Sequence, residues 1–176
     1  MDPLLHLVIA LGMAALLLSA AAHKLSDFAA FRRILGDYDV LPERFVAPSA
    51  RVVVVLEISL GVAWLVQVMP AVFITGTVLL LACYTCAIAF NLVRGRVHIS
   101  CGCGGNDGQP LSVWMLPRNL LLFAAAGFAG LPAGERALGL VDGVTAAATL
   151  LILVLIYLAV SQLLANAAAI RVWRAA

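Results

Sequence analysis

Two pairs of cysteines hold the reactive side chains of this chain. Cys101 and Cys103 flank Gly102 in the segment HISCGCGG, residues 98–105, while Cys83 and Cys86 stand in an apolar stretch. A disulfide closed across a single glycine is a very small ring, so it is expected to be strained and easily reduced. Gly102 permits the backbone that such a ring demands, and Gly104 and Gly105 leave room for another protein to reach the sulfurs. Nearby cations, Arg94, Arg96 and His98, favour the reactive thiolate. The pair therefore suits thiol–disulfide exchange; a copper-type metal site completed by His98 and a static disulfide are the other chemistries open to it. Cys83 and Cys86 are three residues apart, hence on one face of a helix, with Cys86 about one turn nearer the loop pair. Cysteine also packs as a small hydrophobe, so core packing and a redox relay are both open for this second pair.

The elements that position these thiols must be membrane helices. The chain has 176 residues, 64% of them hydrophobic and only 11% charged, with a mean hydropathy of +1.09. That is more apolar surface than one soluble core of this size can bury. About 20 apolar residues cross a bilayer as a helix, and the sequence predicts crossings over residues 4–22, 52–69, 71–93, 117–131 and 144–165, the fourth being short. The first resembles a secretory signal at Ser19-Ala20-Ala21-Ala22 but lacks a basic start, since MDPLLH precedes it, and is read as a spanning helix. Residues 23–51 mix charges with Leu, Phe and Tyr, as an amphipathic helix at the membrane surface would, up to about Leu41-Pro42. Val68-Met69-Pro70 reads as a tight hairpin, and residues 94–116 as the cysteine loop. With no linker and no repeat, residues 1–176 read as one all-α bundle domain.

Charge orients such a bundle. If all five segments cross, ten of the eleven basic residues (Lys24, Arg32, Arg33, Arg44, Arg51, Arg94, Arg96, Arg118, Arg171 and Arg174) lie on the side of the cysteine loop, and Arg136 alone lies opposite. The excess of Lys and Arg on cytoplasmic loops then places that loop in the cytoplasm. Other polar residues gather toward the same side: His23, Glu57, Asn91, Asn119, Gln162 and Asn166. A carboxylate inside a membrane needs a partner, so Glu57 is expected to pair with Lys24, Arg51, Arg94 or Arg118, as a clamp between helices or as a proton-handling group. Trp64, Trp114 and Trp173 read as interfacial anchors. The sequence shows no phosphate-binding loop and no zinc quartet, and so apolar a chain is no partner for nucleic acid.

The stretches AAHKLSDFAAFRRILGDYDVLPERFVAP and LEISLGVAWL resemble the first helices of DoxX-like membrane proteins, and NLVRGRVHISCGCGG, QPLSVWMLPRNLLLF and YLAVSQLLANA resemble the MauE family. That resemblance implies a DoxX-like helical bundle in the bacterial cytoplasmic membrane. It also implies a role in maturing the small (β) subunit of methylamine dehydrogenase, alongside a thioredoxin-like partner, MauD. The family's cysteine signature falls on Cys101 and Cys103, framed by Arg94, Gly95, Gly102 and Gly104, whereas Gly105 stands where many relatives carry phenylalanine. Cys83 and Cys86 are outside that signature. A thiol–disulfide oxidoreductase of this kind works on a periplasmic client, against the side that the arginines select. A periplasmic cysteine loop implies electron transfer to a membrane quinone, and a cytoplasmic one implies transfer from a cytosolic thioredoxin through Cys86 and Cys83. A non-redox assembly scaffold and a metal carrier remain the alternatives.

Overall fold

The computed structural model describes residues 1–96, 99–100, 111, 113–132, 134 and 136–175, with the backbone alone for 160–175. Among them are six helices: α1 (Pro3–Ser26), α2 (Phe28–Asp37), α3 (Glu43–Val66), α4 (Pro70–Val93), α5 (Met115–Ala129) and α6 (Leu140–Ala175). Four of these are long and apolar enough to cross a membrane, α1, α3, α4 and Leu140–Ala159 of α6. The chain is therefore a multi-pass membrane protein. At 15 residues α5 is shorter, about 22 Å long at 1.5 Å per residue.

The segment 23–51 is not one surface stretch. Helix α1 continues to Ser26, only Phe28–Asp37 forms the short amphipathic helix, and α3 already begins at Glu43. Capping chemistry sets these breaks. The Asp27 carboxylate accepts from the Ala30 N–H at 2.8 Å and restarts the chain as α2. Pro42, which has no N–H to donate, stands as the residue before α3.

Residues Ile9–Pro132 form one compact unit, in which the long helices run antiparallel to their neighbours. Lys24 meets Glu57 and Leu18 lies against Gly61, which pairs α1 with α3. The predicted hairpin follows, with Gln67 and Met69 in left-handed backbone (φ 58° and 55°) and Pro70 opening α4. Across it Trp64 meets Thr77 and Glu57 meets Tyr84. Thr85 bonds Asn119 while Ile74 lies beside Gly130, so α5 runs back along α4. Trp64 is 1% exposed, against 67% for Trp114, so it is a core residue and not an interfacial anchor. Its indole N–H donates to Thr77 Oγ1 at 2.9 Å, satisfying the one polar atom that burial would strand, and its ring packs on Phe73 at 4.7 Å.

Residues Met1–Val8 and Ala133–Ala176 form the second unit. Within it Gly134 N–H donates to Met1 O at 2.8 Å, and Arg136 lies 3.5 Å from Asp2 and 2.8 Å from Asp142. Asp142 also accepts from Gly139 N–H at 2.8 Å, fixing the start of α6.

Candidate functional site

The ends of the cysteine segment are built on α4 and α5. Helix α4 stops through two backbone bonds, Arg96 N–H to Asn91 O and Gly95 N–H to Leu92 O, both 3.0 Å, around a left-handed Gly95 (φ 71°). A Cβ at Gly95 would meet no atom within 4 Å, so only backbone conformation opposes a side chain there. Gly95→Ala is expected to lower stability by about 1 kcal/mol, read as a lower melting temperature in detergent; an unchanged melt would contradict the left-handed stop.

That stop aims Arg94 and Arg96 at the end of α2. Each places a guanidinium nitrogen 3.3 Å from Asp39 Oδ2, and Arg96 also donates to Asp37 O at 3.4 Å. These groups are exposed, so the pairs orient the turn more than they stabilise it. Asp39, which sequence reasoning missed, offsets the cationic field expected around the cysteines. Beneath the turn, Tyr38, Ile88, Leu111 and Met115 form a buried cluster, and burial holds the Tyr38 phenol up to about 12, neutral at physiological pH. Leu111 N–H donates to Ile99 O at 3.0 Å, joining the two residues between which the Cys-Gly-Cys run is strung. Cys101, Gly102, Cys103 and His98 themselves lie outside the described residues.

The second polar group lies inside the bundle. Lys24 is 6% exposed and Glu57 0%. Lys24 Nζ is 2.5 Å from Glu57 Oε1, and the Tyr84 hydroxyl donates to the same oxygen at 2.7 Å. The ammonium also lies 5.3 Å from the Phe31 ring and 5.4 Å from that of Tyr84. Of the four cations that could have met Glu57, the fold selects Lys24. Arg94 turns to Asp39, Arg51 is exposed, and Arg118 donates to Asn119 Oδ1 at 3.3 Å. Tyr84 was missed; a hydroxyl in so apolar a helix was the only signal for it. Asn91 is fully buried, its amide donating to Ala87 O at 3.1 Å.

Cys83 and Cys86 are free thiols on the exposed face of α4, on the stripe of Leu79 and Phe90 and away from the buried stripe of Phe73, Thr77, Leu80, Ile88 and Asn91. They do not pack in the core of this chain. Among the described residues no group of three His, Cys, Asp or Glu side chains could hold a metal ion.

Comparison with known proteins bears on the whole arrangement. The family described as methylamine utilisation protein MauE matches residues 2–132, which include the Cys-Gly-Cys run. The chain is 33% identical over 171 residues to the methylamine utilization protein MauE of Paracoccus denitrificans, covering 92% of this chain and 88% of that one. It is 31% identical to the protein of that name from Paracoccus versutus, covering 92% and 88%, and 31% identical to that from Methylophilus methylotrophus, covering 90% and 85%. No solved structure matches. With a family match over most of its length and relatives of this identity and coverage, the chain belongs to the methylamine utilisation protein MauE family.

Proposed function

We propose that this chain acts in the bacterial cytoplasmic membrane to mature the small (β) subunit of methylamine dehydrogenase, by thiol–disulfide exchange at Cys101 and Cys103 with a thioredoxin-like partner of the MauD kind. The observation that carries this reading is that the family match runs through the Cys-Gly-Cys segment, among relatives named for methylamine utilisation. In the exchange a thiolate of a reduced thioredoxin attacks one sulfur of the Cys101–Cys103 disulfide. That S–S bond breaks as a mixed disulfide forms, and the second thiolate of the thioredoxin resolves it. The loop gains two electrons and two protons, and the thioredoxin leaves as a disulfide.

Sidedness sets the direction of flow. Lys and Arg bias puts the cysteine segment in the cytoplasm. There a cytosolic thioredoxin reduces the loop, the loop dithiol reduces a Cys83–Cys86 disulfide by exchange, and the Cys83 and Cys86 thiols so formed reduce a disulfide of the MauD-like partner outside, which reshuffles disulfides in the small subunit. Cys101 and Cys103, reduced beforehand, are then expected to resist a membrane-impermeant thiol reagent in intact spheroplasts and to label after permeabilisation. Labelling of intact spheroplasts would reverse the direction and make a membrane quinone the final acceptor.

Deleting the gene is expected to leave the large subunit intact while the disulfide-rich small subunit fails to accumulate, because a chain without its crosslinks cannot hold a compact fold and is degraded. Wild type should restore it, and the Cys101→Ser, Cys103→Ser variant, at equal membrane level, should not. Normal maturation with that variant would mean a non-redox scaffold, and stoichiometric metal lost with either cysteine would mean a metal carrier. Restoration by Cys83→Ala, Cys86→Ala would remove the helix pair from the route. A small subunit that accumulates normally in the deletion strain would sink the assignment.

A further inference from the structure

Helix α3 exposes one face that changes character along its length. Arg44, Arg51, Val55, Ile58, Val62 and Leu65 are seven, four, three, four and three residues apart, which is the spacing of a single helix face, and all of them are exposed. The two arginines stand at the start of the face and the apolar side chains follow. Hydrocarbon suits the apolar part and not the arginines.

Arg51 stands within the span. Trp64 meets Thr77 and Glu57 meets Tyr84 across the α3–α4 pair, and the same register sets Arg51 opposite Phe90, about one turn short of Arg94, where α4 ends. A guanidinium at this depth stays charged and needs an anion. Other cations at this end of the bundle have one: Lys24 meets Glu57, and Arg94 and Arg96 share Asp39. Among the described residues no carboxylate forms an ion pair with Arg44 or Arg51. The Arg44 guanidinium lies 4.8 Å from the centre of the Phe45 ring, while Glu43 is turned about 100° away round the helix.

From this face we infer that α3 binds an acidic phospholipid, with the headgroup on Arg51 and Arg44 and an acyl chain along Val55, Ile58, Val62 and Leu65. The planar guanidinium matches two phosphate oxygens at once, and basic sites at the ends of membrane helices take anionic headgroups. From Arg51 to Leu65 the helix rises about 21 Å, enough to follow a chain through the roughly 15 Å of hydrocarbon in one leaflet. Arg44 stands about 10 Å further out, where a zwitterionic lipid would present its ammonium and be repelled. Charge therefore selects the acidic lipid. No bond is made or broken, and neither the thiols nor the client takes part.

Native mass spectrometry of the full chain, released from detergent containing equal amounts of phosphatidylglycerol and phosphatidylcholine, tests the site. Wild type is expected to retain phosphatidylglycerol in preference to phosphatidylcholine. Arg44→Gln, Arg51→Gln should bind it about thirtyfold more weakly, two arginines at a membrane surface contributing about fivefold each. Arg32→Gln, Arg33→Gln removes the same charge from exposed positions on α2 and should bind like wild type. Both double variants alter exposed side chains only, so the fold is not at stake. An equal loss in the two variants would mean a diffuse cationic field and would overturn the site, as would equal retention of the two lipids by wild type. Glycerol 3-phosphate, a headgroup without chains, should fail to displace the lipid at equal concentration; displacement would make a free phosphate ester the occupant and overturn the lipid reading. Because no readout involves thiol exchange or the small subunit, the result stands apart from the proposed function.

Discussion

Lys24→Met is expected to destabilise the helical unit of Ile9–Pro132 by about 3–5 kcal/mol, the usual cost of removing one partner from a buried ion pair. Glu57 is fully buried and its other bond is to the neutral hydroxyl of Tyr84. Without the ammonium its charge would sit among apolar side chains with one hydrogen bond. Adding Glu57→Gln should recover most of the loss, because the pair is then replaced by neutral groups of similar volume. Thermal unfolding in detergent, followed by tryptophan fluorescence, suits the measurement, since Trp64 is buried in the same unit. A single variant as stable as wild type would mean that Lys24 does not neutralise Glu57.

The second large effect is steric. A Cβ built on Gly61 would lie 2.8 Å from Leu18 Cγ, 2.9 Å from its Cδ2 and 3.4 Å from Leu17 Cβ. The obstruction includes a branch point and a Cβ atom of α1, which cannot swing aside as a flexible tip could. Gly61→Leu is therefore expected to cost about 1–3 kcal/mol or more by overpacking, and Gly61→Ala less. Wedging α1 from α3 at this point should also draw Lys24 away from Glu57, so the variant should behave in part like Lys24→Met. Gly127 is the control. A Cβ there meets nothing within 4 Å, so Gly127→Ala should be neutral or slightly stabilising through helix propensity. Equal melting temperatures for Gly61→Leu and Gly127→Ala would show that α1 and α3 do not approach as described.

The spanning elements were legible because length and hydropathy alone fix them: a run of apolar residues long enough to cross hydrocarbon has little alternative to a helix. The hairpin at Val68-Met69-Pro70 was legible too, through a proline that can open α4 but not continue α3. The ends of the elements in 23–51 were not. There the pattern stays amphipathic throughout, and one carboxylate, Asp27, capping Ala30 decides where α1 yields to α2. Trp64 was misplaced for a related reason. An indole suits an interface, and only the approach of Thr77 across the α3–α4 pair makes its burial affordable.

The thiols and the ion pair divide along the same line. Their residue types, their spacing and the shared face of Cys83 and Cys86 follow from the sequence, as does the need of Glu57 for a cation. Which face of α4 is inward does not, because a helix apolar all round carries no stripe to distinguish a lipid-facing side from a packed one. Tertiary packing alone turns Cys83 and Cys86 outward and Tyr84 inward. Likewise the sequence left four cations for one carboxylate. The close approach at Gly61 and the antiparallel register of α1 and α3 chose Lys24, because an ion pair forms where backbones that pack for other reasons bring the two groups together.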